Sequence, residues 1–196
     1  MRSNFLVSEW VSGLNTSSKA TRLSLLVASA LLGAWAIAAS AQLRVDLMPY
    51  SPVPITAQSL VVLLIGWFYG RKLAVMTVLS YLAFGIFGVP VFASKATGMA
   101  WLMGATGGYL IGFLVAVFAI ATLKPLVREK FKSSAIADVS VLLAGKILIL
   151  GMGVLWLSRI TGFSTAIATG LVPFLPGMIV KLVSAFAIIR AVEKRS

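Results

Sequence analysis

The sequence has no cysteine and no histidine, and only five of its 196 residues are acidic. The first two absences exclude disulfides, thiolate or imidazole metal sites, cysteine nucleophiles and imidazole acid–base chemistry. No metal and no cofactor is expected. Charge of either sign is also scarce: 11% of residues are charged and 60% hydrophobic, with a mean hydropathy of +1.02. Soluble domains carry about a quarter charged residues, so a water-soluble globule is excluded. No G-x-x-x-x-G-K-[ST] stretch occurs, since Gly145-Lys146 is followed by Ile147, and the chain therefore carries no P-loop for ATP. An intramembrane enzyme, such as a lipid-modifying one, would have no imidazole, thiol or central carboxylate to work with. The chain is not read as an enzyme.

What is present is a series of apolar runs. One bilayer span takes about 20 apolar residues, and six runs fit within one domain. They are 23–43, 56–69, 73–88, 104–123, 135–157 and 173–192. The second and third are short and borrow length from their flanking loops. Ala39-Ser40-Ala41 imitates a signal-peptidase site, but the leader is too long and the apolar run long enough to span, so 23–43 is read as a retained helix. In residues 1–22, Leu6, Trp10 and Leu14 fall four apart. That spacing suits an amphipathic helix on the membrane surface, and the polar composition suits an unstructured tail equally well. The stretches 44–56, 89–103, 124–134 and 158–172 read as loops.

The net charge of +12 does not indicate a nucleic-acid surface, because the basic residues are strung between the apolar runs. They sort instead by side of the membrane. With a cytoplasmic N-terminus, that side holds Arg2, Lys19, Arg22, Arg71, Lys72, Lys124, Arg128, Lys130, Lys132, Arg190, Lys194 and Arg195. The other side keeps only Arg44, Lys95 and Arg159. This satisfies the positive-inside rule and requires an even number of spans. The expected architecture is an all-α membrane protein: a compact bundle of six transmembrane helices with both termini cytoplasmic. Residues 1–22 form a cytoplasmic segment, 23–192 the membrane domain and 193–196 a cytoplasmic tail.

An ion-coupled carrier keeps ionisable groups inside the membrane. Here Glu9, Asp46, Glu129 and Glu193 fall in tails or loops, and Asp138 sits near a span end. The intramembrane candidates are Lys146 and Lys181, which suit an anion better than a proton relay. The chain therefore reads as a binding subunit energised by another protein.

Four stretches carry candidate chemistry. Pro52–Gln58 stiffens the approach to the second span and presents Thr56 and Gln58, or is a simple helix start with a capping threonine. In 104–113, Gly104, Gly108 and Gly112 recur every four residues, a spacing that lets helices approach closely. Tyr109 beside them suits a flat ligand or an interfacial aromatic belt. In 173–181, Lys181 lies two turns into the last span, where a cation must reach water, an anion or a cavity, or else snorkel. Ala30, Ala34 and Ala38, with Gly33, make a smooth stripe on the first span, either for internal packing or as a docking face.

Together these stretches resemble the BioY family, the biotin-binding S components of energy-coupling factor (ECF) transporters. Residues 52–58 resemble its PVPITxQ segment and Gly88-Val89-Pro90-Val91-Phe92 its G-x-P-V-F segment. Residues 104–113 are similar to GPTGGYLxGF, and 173–181 to PFLPGDxxK. Ala105 replaces a proline of the pattern, and Met178 stands where the pattern has aspartate, one helical turn from Lys181. The resemblance implies a subunit of the bacterial cytoplasmic membrane that captures biotin, or another small vitamin or precursor, at the outer face. Its partners would be an ECF transmembrane coupling protein and a pair of ABC-type ATPases. It implies Lys181 for the ligand's carboxylate, Thr56, Gln58 and Tyr109 for the ureido group, and Phe92 and Trp101 for the apolar ring. Gly108 and Met178 would lie at the same site, with Ala30, Ala34 and Ala38 facing the coupling protein.

Overall fold

A computed structural model describes Val7 and residues 18–131 and 134–195. The readings made for residues 1–17, including the Leu6–Trp10–Leu14 pattern, and for Lys132 therefore lie outside the described residues. The helices are α1 (Lys19–Gln42), α2 (Gln58–Phe68), α3 (Arg71–Ile86), α4 (Met99–Met103), α5 (Gly107–Lys130), α6 (Ser134–Thr161), α7 (Phe163–Gly170) and α8 (Leu175–Arg195). Two-residue strands β1 (Arg44–Val45) and β2 (Ile55–Thr56) pair antiparallel between α1 and α2, with Arg44 opposite Thr56.

Among the described residues, four stretches are long and apolar enough to cross a membrane: Lys19–Gln42, Gly107–Lys130, Ala135–Thr161 and Phe163–Arg195. The last is broken by a 3-10 turn at Val172–Phe174, where Pro173 enters. Each apolar run of the sequence contains one of α1, α2, α3, α5, α6 and α8. Two loop readings are corrected. The segment 158–172 contains α7, which packs on α6, and 89–103 contains the short α4. Neither stretch is long or continuously apolar, so hydropathy alone left them without structure.

A third correction concerns 124–134, read as a basic turn. Here α5 continues through Pro125 to Lys130. The basic side chains have partners inside the bundle, which removes the reason to leave it. Lys124 Nζ donates to the Trp67 carbonyl at 3.2 Å and lies over the Trp67 ring. Arg128 donates to Asp138 Oδ1 at 2.7 Å and to Glu193 Oε2 at 2.8 Å, with its guanidinium over the same ring. Asp138 is fully buried and also faces Arg190 at 3.7 Å. Trp67 Nε1 donates to Glu193 Oε1, so α8 is tied into the bundle at the position read as the start of a tail. These bonds bring the last turns of α2, α5 and α8 together with the first turns of α6.

The pairing of α5 with α6 is the most extensive in the fold. Gly108 makes it possible, since a Cβ there would come within 2.2 Å of Trp156 Cβ and 2.5 Å of the Met152 carbonyl oxygen. Gly112 serves the same contact, where a Cβ would stand 3.0 Å from the Ile149 backbone, whereas Gly104 lies before α5 and a Cβ there would meet only the carbonyls of Ala100 and Trp101.

The alanine stripe is also internal. Ala30, Ala34 and Ala38 are buried within the chain, on the side of α1 that packs against α3. The face of α1 turned outward carries Leu31, Leu32 and Trp35. In this structure the small residues let α1 seat closely on α3 of its own bundle.

Candidate functional site

The site follows from one short helix. With 11 residues, α2 is about 16 Å long, against a hydrocarbon core of about 30 Å. Its last turn, at Trp67, is already level with the ion-paired ends of α5 and α8. The whole shortfall therefore falls at the other end, above the first turn of α2. The segment 51–56, the turn at Ala93–Lys95, α4 and the 3-10 turn before α8 close over this recess. They leave a partly open cavity whose walls come from all of these segments together with α2, α5, α6 and α8.

The cavity brings together five of the predicted residues: Thr56, Gln58, Trp101, Tyr109 and Lys181. The last of these, Lys181, donates from Nζ to the Thr56 carbonyl at 2.6 Å. This is a cavity position, so the snorkelling alternative is not what the fold uses. Thr56 Oγ1 donates to Gln58 Oε1 at 3.0 Å, and Gln58 Nε2 donates to the Tyr81 hydroxyl at 2.6 Å. The amide is thereby fixed in orientation, with both of its ends engaged.

Tyr109 is a wall rather than a free hydroxyl. Its Oη donates to the Gly170 carbonyl at 2.6 Å, and its ring stacks on Phe174 at 5.8 Å and 22°. It can offer an aromatic face to a ligand, and with its proton committed to Gly170 its hydroxyl oxygen is left as an acceptor only.

Three predicted residues lie outside the lining. Phe92 is wholly buried behind it, edge-on to Tyr81 at 5.6 Å and under Gly85, where a Cβ would come within 2.1 Å of the ring. Its carbonyl accepts from Gln42 Nε2 at 3.0 Å, which pins the segment carrying Ala93 against α1. Gly108 serves the α5–α6 contact, and Met178 packs against the surrounding core.

Sequence reasoning left one lining residue without a role and missed several others. Lys146 is 3% exposed and donates to Ser59 Oγ at 2.7 Å. Phe113 follows Thr106 and Tyr109 around one face of α5, and Ile149 and Leu150 follow Lys146 on α6. The usable signal was periodicity: 106, 109, 110 and 113, and 146, 149 and 150, each mark one helical face. No Asp or Glu is among the lining residues. The cavity thus combines aromatic and aliphatic walls, a fixed amide and two ammonium groups with no carboxylate, a donor set suited to an apolar ligand with an anionic end.

A model of the BioY family matches residues 11–196. "Biotin transporter BioY2" of Lactococcus lactis subsp. cremoris is 35% identical over 168 residues, covering 83% of this chain and 88% of the relative. "Biotin transporter BioY" of Thermotoga maritima is 36% identical over 148 residues, covering 75% and 85%. "Probable biotin transporter BioY" of Pyrococcus horikoshii is 37% identical over 137 residues, covering 70% and 78%. Among solved structures, the S-component for biotin from an ECF-type ABC transporter matches with a TM-score of 0.78 at 26% identity, covering 92% of this chain and 96% of that one. With its apolar helices and a cavity at one end of the bundle, this chain is a multi-pass membrane protein and belongs to the BioY family.

Proposed function

We propose that this chain is the substrate-binding subunit of an ECF-type importer and captures biotin at the outer face of a bacterial cytoplasmic membrane. Transport would be energised by an ECF transmembrane coupling protein and a pair of ABC-type ATPases, which fits a chain with no P-loop. The observation that carries the reading is the cavity: Lys181 beside an ordered Thr56–Gln58 pair and the Tyr109–Phe174 stack, in a fold shared with a biotin S-component. In the proposed pose the carboxylate lies toward Lys181, and the bicyclic ring lies against Trp101 and Tyr109. Thr56 lies at the carboxylate end of this pose, where its carbonyl accepts from Lys181.

We place residues 23–192 in the membrane as six spans, α1, α2, α3, α5, α6 and α8, with 1–22 and 193–196 on the cytoplasmic side. Arg71, Lys72, Lys124, Arg128 and Arg190 share the ion-paired end, and Arg44 and Lys95 the cavity end, so the positive-inside rule puts the cavity outside. The chain lacks cysteine, which makes a direct test available. Ser94→Cys is expected to react with an impermeant thiol reagent added to intact cells, and Lys72→Cys only after permeabilisation. The reverse pattern overturns the orientation.

Calorimetry of the detergent-purified protein tests the ligand. One saturable site for biotin is expected, unaffected by an excess of other vitamins. A heat with another vitamin and none with biotin replaces the substrate while keeping the fold.

A further inference from the structure

Lys146 has no role in the pose above, yet it is the more deeply buried of the two cavity lysines. A buried ammonium is costly unless an anion or several acceptors surround it. Among the described residues Lys146 has one hydrogen-bond acceptor, the Ser59 hydroxyl, and no acid lines its cavity. Lys181 likewise has one, the Thr56 carbonyl. An ammonium has three donors, so each keeps two uncommitted.

The two acceptors are close together in the chain, on either side of the start of α2. Thr56 precedes the helix and Ser59 is its second residue, so both ammoniums are held at one end of the cavity. No side chain caps that helix start, whose N-cap is Ala57. Gln58 and Ser59, in this uncapped first turn, line the cavity. The amides of a helix start carry partial positive charge, which adds to the two lysines.

We infer that Lys146 and Lys181 form one anion clamp at the start of α2, and that the ligand's carboxylate is held by both ammoniums, one to each oxygen. This rests on the proposed binding function and assigns Lys146 as a determinant of ligand charge. A carboxylate has two oxygens and about four acceptor positions, which matches two ammoniums in a site that supplies no acid of its own. Neutral amides and esters of the same shape lack the charge the clamp requires.

The test uses the full-length protein in detergent with biotin and biotin methyl ester. Lys146→Met keeps the length of the side chain and removes the charge. It is expected to weaken biotin at least about tenfold, the scale of one charge-assisted hydrogen bond, and to leave the ester within about twofold. Lys181→Met should behave alike, and Lys146→Arg should retain most of the biotin affinity. Equal losses for biotin and ester in Lys146→Met, or no loss for either, overturn the clamp. If the methionine variant does not fold, Lys146→Arg still decides, by its preference for biotin over the ester relative to the native protein. Loss of that preference counts against the clamp. Heptanoate against heptanamide, followed by tryptophan fluorescence, separates this inference from the biotin reading. Lys146-dependent binding of heptanoate without biotin binding keeps the clamp and sinks the substrate. Binding of neither acid sinks the clamp.

Discussion

Both ends of this bundle bury cations in apolar surroundings, and they neutralise them in different ways. At the end formed by Trp67, α5, α6 and α8, Arg128 is held by Asp138 and Glu193 and lies on the Trp67 ring, while Lys124 meets the Trp67 carbonyl and the same ring. At the cavity end, Lys146 and Lys181 each rest on one neutral oxygen. A cation whose counter-charge lies in the same chain contributes to the fold whether or not a ligand is present. One without it is, under the function proposed above, the place for an anionic ligand. The placement of the few acids, more than that of the many bases, separates structure from site in this protein.

The largest effect is expected where an internal pair is broken. Asp138→Asn removes one of the two carboxylates that hold Arg128 in a buried setting, and a loss of about 3 kcal/mol of stability is expected. It should appear as a lower thermal unfolding midpoint, with biotin affinity retained in the folded protein. An unchanged midpoint would mean that the ion network adds nothing net. Lys181→Ala should do the converse. Biotin affinity falls by about 2–4 kcal/mol while the ligand-free midpoint holds or rises, because a cation without a counter-charge has been removed. A fall in the ligand-free midpoint as large as that of Asp138→Asn would erase the distinction between the two ends. Smaller and more local is Ala34→Leu. Its side chain enters the filled α1–α3 contact, and overpacking of about 1–3 kcal/mol is expected. Ala36→Leu, on the exposed face of α1, should leave the midpoint in place. If Ala34→Leu unfolds normally and fails only to assemble with a coupling protein, the stripe is a docking face after all.

The apolar runs and the order of the main helices were readable from hydropathy, because each of the six runs is long relative to its loops. Lys181 was readable because a charge that deep in a span demands a reason. The direction of the Ala30–Ala34–Ala38 stripe was not, since small residues suit a neighbouring helix of the same chain and of a partner equally well. Lys124 and Arg128 looked like a solvated turn because their counter-charges, Asp138 and Glu193, are distant in sequence. Lys146 stood without a role for the same kind of reason, as Ser59 lies 87 positions away. The occupied hydroxyl of Tyr109 was invisible too, because its acceptor is a main-chain carbonyl at Gly170, to which no side-chain pattern points.

The slot that receives Tyr109 has a consequence for how this sequence can change. A Cβ at Gly153 would stand 2.2–2.4 Å from three atoms of the tyrosine ring, and one at Gly170 would stand 2.6 Å from its hydroxyl oxygen. Neither glycine can acquire a side chain while Tyr109 stays; beside a much smaller residue Gly153 would be free to do so, and Gly170 would have only the movable end of Leu157 to displace, at 2.8 Å. Substitutions at 109, 153 and 170 are therefore conditional on one another: a change harmful alone becomes tolerable after a second, and the order of arrival decides which sequences are reachable. Three positions on three helices behave as a single heritable unit, joined by the volume of one ring.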